Sequence, residues 1–154
     1  LKKMLTLKRT NSDNTDFQQL VLMLNKDLEK RNGVVNDFFV QFNKIDEIKN
    51  VIIIYENHQA VGCGAMKKYD DNTMEIKRMY VPLENRGKGI ATKILQELEI
   101  WAKELGYKKC ILETGNKMSE AISLYKKNSF KIISNYGQYV NITDSICFEK
   151  TIEY

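Results

Sequence analysis

Residues 84–91 read ENRGKGIA and stand between a strand-like run, TMEIKRMYV, and a helix-like run, IATKILQELEIWAKELG. A strand that turns into a helix through two glycines fixes the order of elements and the kind of turn that joins them. Gly87 and Gly89 carry no side chain, so positive φ is open to them and an anion can come close to the backbone. A helix start also offers up to four unpaired N–H groups and about half a positive charge. A phosphate or pyrophosphate satisfies both. Arg86 and Lys88 add charge at the rim.

The elements around this junction follow from pattern. VIIIYE (51–56), QAVGCGAMKKY (59–69) and TMEIKRMYV (73–81) are β-rich runs joined by short polar turns, which predicts an antiparallel meander. Ile90, Ile94, Leu98, Trp101 and Leu105 then recur at helical spacing up to Gly106. KKCILET predicts a strand, SEAISLYKKN a short helix, and FKIISNYG and SICFEKTI two last strands. Upstream, MLTLKRT predicts an opening strand. The next run carries Phe17, Leu20, Val21, Leu24 and Leu28 on one helical face, with Thr15 and Gln18 as a capping box and Asn32-Gly33 as a stop. The result is one mixed α+β domain over 1–154. A helical crossover from the 73–81 strand to the 108–114 strand makes those two parallel neighbours.

Composition removes several chemistries. His58, the only histidine, sits in the polar turn YENHQAVG, so a histidine base, a zinc site or a Ser-His pair has little to draw on. Cys63, Cys110 and Cys147 are far apart in strand-like surroundings, with no ligand spacing, and read as reduced, buried thiols. No metal site is expected. The net charge of +4 comes from 24 basic and 20 acidic residues that are interspersed, which argues against nucleic acid as a partner. No apolar run approaches the ~18 residues of a membrane span, and the start, LKKMLTLKRT, lacks a secretory pattern. A cytoplasmic protein is expected.

Three phosphate-binding patterns compete for the glycines. A Walker loop needs GxxxxGK[ST], which is absent. A dinucleotide fingerprint needs GxGxxG, but Thr92 occupies the third glycine position; Glu113 does stand where a ribose-binding acid could end the next strand. The third pattern is R/Q-x-x-G-x-G/A, and RGKGIA fits it. With RMYV before the loop, LETG after the next strand and EAISLYKKNSF beyond, the chain resembles the GCN5-related N-acetyltransferase (GNAT) family. The match is densest over 73–131, and the element order extends it over nearly the whole chain.

This resemblance implies the acyl-CoA N-acyltransferase fold, a mostly antiparallel sheet with a parallel pair splayed at the cofactor cleft and helices on its faces. It implies acetyl-CoA as donor and a primary amine of a small molecule or peptide as acceptor, joined by direct attack in a ternary complex, with a homodimer as one assembly. A coenzyme-binding regulatory module and a nucleotide-binding oxidoreductase are the alternatives. Met79, Tyr80 and Val81 would run beside pantetheine, Arg86, Gly87, Lys88, Gly89, Ile90 and Ala91 would hold the pyrophosphate, and Asn116 would add a contact. Glu75 matches the family's glutamate base, with strand alternation placing Glu75, Lys77, Met79 and Val81 on one face; Glu113 is the reserve. The N–H of Met79 suits the oxyanion, and Tyr125 matches the tyrosine that protonates the leaving thiolate and touches the coenzyme. Tyr136 and Tyr139, with Phe38, Phe39 and Phe42, are candidates for the acceptor side. Two departures stand out: Ser129 replaces a common glycine, with Asn128 as the expected left-handed residue, and Pro82 comes one position early.

Overall fold

The structure, a computed structural model, describes residues 4–32 and 47–152. Phe38, Phe39 and Phe42 lie outside the described residues. The described strands are β1 Leu5–Thr10, β2 Asn50–Glu56, β3 Gln59–Asp70, β4 Thr73–Tyr80, β5 Lys109–Gly115, β6 Lys131–Ile133 and β7 Ser145–Thr151. The helices are α1 Thr15–Asn32, α2 Ile90–Glu104 and α3 Ser119–Lys127, with short 3₁₀ turns at Leu83–Asn85 and Gly137–Tyr139. The strands form one sheet in the order β1-β2-β3-β4-β5-β7-β6. Among these neighbours only β4 and β5 run parallel. The α2 crossover requires that pairing, as the sequence predicts.

The run 51–54 is apolar at every position because both faces of β2 are covered. Ile52 and Ile54 pack with Met66, Ile94, Leu98 and Phe148 beneath α2 and α3, whereas Val51 and Ile53 pack with Phe17, Leu20 and Val21 of α1. Gly64 sets how closely α2 approaches the sheet. A Cβ there would lie 2.6 Å from both Ile94 Cγ2 and Met79 Sδ. The tight turn between β2 and β3 puts Asn57 and exposed His58 at φ 50° and 71°, the left-handed pair that a two-residue hairpin loop requires.

Several local expectations are corrected. α1 is capped by Asn14, whose Oδ1 accepts the Phe17 N–H at 3.1 Å, while Gln18 Nε2 donates to the Ser12 carbonyl at 3.1 Å. The helical stripe of α2 is closed by buried Leu95 and Ala102, and Leu105 is 50% exposed. Strand β6 stops at Ile133, so Tyr136 and Tyr139 belong to the connection into β7. Ser129 itself takes φ +71°, while Asn128 stays at φ −93° and its Nδ2 donates to the Leu124 carbonyl at 2.9 Å.

The most consequential correction is in β4. Cys63 pairs with Tyr80 but Ala65 with Lys77, so Arg78 and Met79 together face Gly64. This is a β-bulge, with Arg78 at φ +61°. The extra residue reverses the alternation. Met79 and Val81 pack on the α2 side with Met74 and Ile76, and Glu75 points to the other face. Beyond Glu75↔Ile111 the β4–β5 pairing ends, and the two parallel strands part.

Candidate active site

Two recesses lie along the end of β4. The larger is a groove of about 430 Å³ between the β4–α2 junction and α3. Met79, Tyr80, Val81, Arg86, Gly87, Gly89, Ile90 and Ala91 form one wall, and Met118, Ala121, Ser123, Leu124 and Tyr125 the other. Gly87 and Gly89 both sit at φ +80°, and nothing lies within 4 Å of where a Cβ would be. Gly89 caps α2 without any side-chain bond, so the first-turn N–H groups have no partner within the helix. Arg86 Nε donates to the Val81 carbonyl at 2.7 Å, which folds the loop back on the strand end. Lys88 stands outside the lining, with Nζ 3.9 Å from a Glu56 carboxylate oxygen.

Helix α1 reaches the rim of this groove through an ionic chain. Asp27 Oδ2 lies 3.7 Å from Arg86 Nη2 and 3.4 Å from Arg31 Nε, and Arg31 also pairs with Glu120 of α3. Nothing in the periodicity of α1 distinguishes Asp27 or Arg31 from ordinary surface charges. Asn116 lines neither recess; its N–H donates to the Asp144 carbonyl at 2.8 Å and its Nδ2 to the Asp144 carboxylate at 3.4 Å.

The smaller recess, about 100 Å³, lies where β4 and β5 separate. Glu75, Lys77, Arg78 and Met79 line it from β4, Glu113 and Thr114 from β5, Tyr125 from α3, and Tyr139 from the β6–β7 connection. Glu75 is 9% exposed; its Oε2 accepts the Tyr136 hydroxyl at 2.6 Å, and its Oε1 lies 3.7 Å from Lys77 Nζ. Glu113 accepts the Ser145 hydroxyl at 2.6 Å. Burial pushes the Glu113 carboxyl up to about 7, the Ser145 bond pulls it down, the Glu75 charge raises it and Lys77 lowers it. Tyr125 lines both recesses. It is 6% exposed, packed edge-on against Phe130 and tilted against Phe148, and burial raises its phenol above the ordinary range. The three cysteines are free and buried, with burial holding Cys63 and Cys110 at about 12, so none offers a thiolate near neutrality. Among the described residues no cluster could hold a metal, and no helix is long and apolar enough to cross a membrane.

Residues 18–130 match the model of the acetyltransferase (GNAT) family. The chain belongs to this family. It is 31% identical over 100 residues to the uncharacterized N-acetyltransferase YsnE of Bacillus subtilis, covering 64% of this chain and 66% of that one. The chain spans about half to two thirds of the length of the curated relatives it matches first. The fold is similar to that of solved acetyltransferase structures. The N-acetyltransferase PaiA of Thermoplasma acidophilum, solved in complex with coenzyme A, superposes with a TM-score of 0.72 at 17% identity, covering 96% of this chain and 99% of that chain. A GNAT acetyltransferase of Elizabethkingia anophelis with acetyl-CoA bound gives 0.69 at 21% identity, covering 97% and 99%.

In this GNAT chain most of the residues singled out in the sequence line one recess or the other, while Lys88, Asn116 and Tyr136 line neither. Met79 and Tyr125 stand at the junction, and Leu24 of α1 lines both spaces beside them. Glu75 and the reserve, Glu113, face one cavity. Ser145 escaped the sequence reading. A serine near the start of a strand carries no signal until the pairing of β5 with β7 brings it to Glu113.

Proposed function

We propose that this chain is an acetyl-CoA-dependent N-acetyltransferase that acetylates a primary amine of a small molecule or peptide. The observation that carries this reading is that the two recesses are adjacent and share Met79 and Tyr125 in their walls. A groove with open space over Gly87 and Gly89 lies next to a cavity holding two carboxylates, and Met79 and Tyr125 line both. The groove fits the coenzyme's chemistry: backbone N–H groups at the start of α2, with Arg86 beside them, suit a pyrophosphate. Leu24, Met79, Ala121 and Leu124 give the inner stretch an apolar lining suited to a thin chain.

The coenzyme supplies an activated acetyl thioester, and the chain's own groups handle the protons. An amine arrives mostly as ammonium, with a pKa near ~7.7–8.0 for an α-amino group and ~10.4 for lysine. Glu113, held near 7, has the proton affinity that a base working at neutral pH needs. It takes this role ahead of Glu75, the first expectation from the sequence, because each accepts one hydroxyl at 2.6 Å but Glu75 also has the Lys77 ammonium 3.7 Å away. Met79 lines both recesses, and its backbone N–H is the group assigned to the developing oxyanion. Tyr125, kept protonated by burial, gives its proton to the departing thiolate.

The test is free-thiol release from acetyl-CoA against a panel of amines. Amine-dependent release, with acetylated acceptor found by mass spectrometry, supports the reading. Tight coenzyme binding without turnover would mark a regulatory module instead, and tighter binding of NAD(H) than of acetyl-CoA would mark an oxidoreductase.

A further inference from the structure

The two carboxylates of the small cavity come from different strands, yet both receive their hydroxyl partner from one short stretch of chain. Tyr136 donates to Glu75 and Ser145 donates to Glu113, each at 2.6 Å. Both donors lie in the 134–145 segment that leads from β6 into β7. We propose that this segment is a positioning device for the reaction centre, in which Ser145 orients Glu113 for proton transfer while Tyr136 fixes Glu75 as a standing anchor for the acceptor ammonium. The proposal rests on Glu113 being the base.

Register makes the Ser145 contact possible. Cys147 lies directly opposite Glu113 on β7, and Ser145 lies opposite Gly115. Glu113 and Gly115 share a face, so Ser145 is the diagonal neighbour of Glu113. Because Gly115 has no side chain, the hydroxyl can reach along the strand to the carboxylate. Ser145 is itself buried, so the bond is shielded from water.

The segment is also held rigidly. Asn135 Nδ2 donates to the Tyr139 and Ile142 carbonyls at 3.2 and 3.0 Å, closing the connection on itself. Tyr136 sits between Tyr69 and Tyr139, ring centroids 5.3 and 5.7 Å away, in edge-on contacts. Tyr139 packs on Cys147 with Ile133 and Ile142. The Asp144 carbonyl accepts the Asn116 N–H at 2.8 Å, which ties the end of the segment to the end of β5. A donor on so fixed a backbone holds a carboxylate in one rotamer, as a working site needs.

The hydroxyls act differently because their surroundings differ. Glu113 is faced by Glu75, Lys77 and Arg78 from β4, Tyr125 from α3, and Tyr139 and Cys147 from the β6–β7 side, with leucines from α1. Of these, the Ser145 bond is the largest influence that favours its charged form. Glu75 has Lys77 beside it as well as Tyr136, whose phenol is held protonated by burial and by Glu75 itself.

The experiment combines two readouts in wild type, Ser145→Ala, Ser145→Thr and Tyr136→Phe. One is the pH dependence of kcat/KM at saturating acetyl-CoA, with an acceptor found by thiol release. The other is a carbon-13 NMR titration of the Glu113 carboxyl carbon, which needs no turnover. Ser145→Ala should move the acid limb and the NMR titration up by about one pH unit, since a hydrogen bond to the charged form is lost. Ser145→Thr should restore both, and Tyr136→Phe should raise the acceptor KM several-fold while moving neither. An equal loss of activity at every pH with an unmoved Glu113 titration would make Ser145 merely structural and overturn the proposal. Should Ser145→Ala not fold, Ser145→Cys keeps the size with a weaker donor, and an unmoved titration there overturns it equally. A Glu113 titration that moves while the kcat/KM limb stays still would leave the Ser145 contact in place but overturn Glu113 as base, and with it the proposal.

Discussion

The groove at the start of α2 and the cavity between β4 and β5 share Met79 and Tyr125, yet they are built in opposite ways. The anion end of the groove is largely backbone: two glycines at φ +80° and an uncapped helix start within a few consecutive residues. The cavity is side chains, drawn from β4, β5, α1, α3 and the connection into β7. On the proposed reading, one region binds by what it lacks and the other reacts by what it gathers. A backbone site can therefore be destroyed by adding one group, whereas the cavity should degrade in steps as single groups are removed.

Gly89→Glu breaks this comparison most severely. The new carboxylate would enter the empty space over the loop and repel a pyrophosphate, so acetyl-CoA affinity should fall by at least about a hundredfold, or about 2.8 kcal/mol. Circular dichroism should still report a folded protein, because no atom stands in the way, although φ +80° adds about 1–2 kcal/mol of strain. Calorimetry on a folded variant with normal affinity would remove the phosphate-loop reading.

The cavity should also reveal itself in stability. Glu113 has its folded value raised from 4.5 to about 7, so it binds a proton more tightly folded than unfolded. Its contribution is therefore full below pH ~4.5 and is lost as pH rises through about 7, a change of roughly 3 kcal/mol at most. Glu113→Gln lacks this titration. Denaturant curves should show the variant gaining on wild type across that window, and a constant difference would mean Glu113 is not perturbed.

Tyr125→Phe sharpens the junction. The ring contacts with Phe130 and Phe148 survive and only the hydroxyl goes. Turnover should fall roughly ten- to hundredfold, about 1.4–2.8 kcal/mol at the barrier, with coenzyme affinity little changed. Normal turnover would make Tyr125 a packing residue. The smallest effect concerns neither recess. Ser129→Gly relieves a left-handed serine after α3 and should raise stability by about 0.5–1 kcal/mol in thermal unfolding, without altering turnover.

What could be read in the sequence follows the same division. The meander, the α2 crossover and the glycine loop are local or periodic, so spacing alone discloses them. The Arg78 bulge is not, because an alternating strand and a bulged one look alike until the partner strand counts one residue fewer. That single residue parts Glu75 from Met79, and it undoes the expectation that both share a face. The Ser145–Glu113 and Tyr136–Glu75 bonds span 32 and 61 residues and depend on β7 entering the sheet between β5 and β6. Long-range pairs of common polar residues leave no trace in a single sequence.

The measurement that tests the division most directly is coenzyme affinity and turnover, taken side by side, for wild type and Glu113→Gln at neutral pH. If the groove binds and the cavity reacts, the variant should bind acetyl-CoA as wild type does by calorimetry. Its turnover should be ~10²–10⁴-fold slower, recovering in part at high pH where the acceptor loses its proton unaided. Wild-type turnover in the variant, or affinity and turnover falling together, would contradict the account.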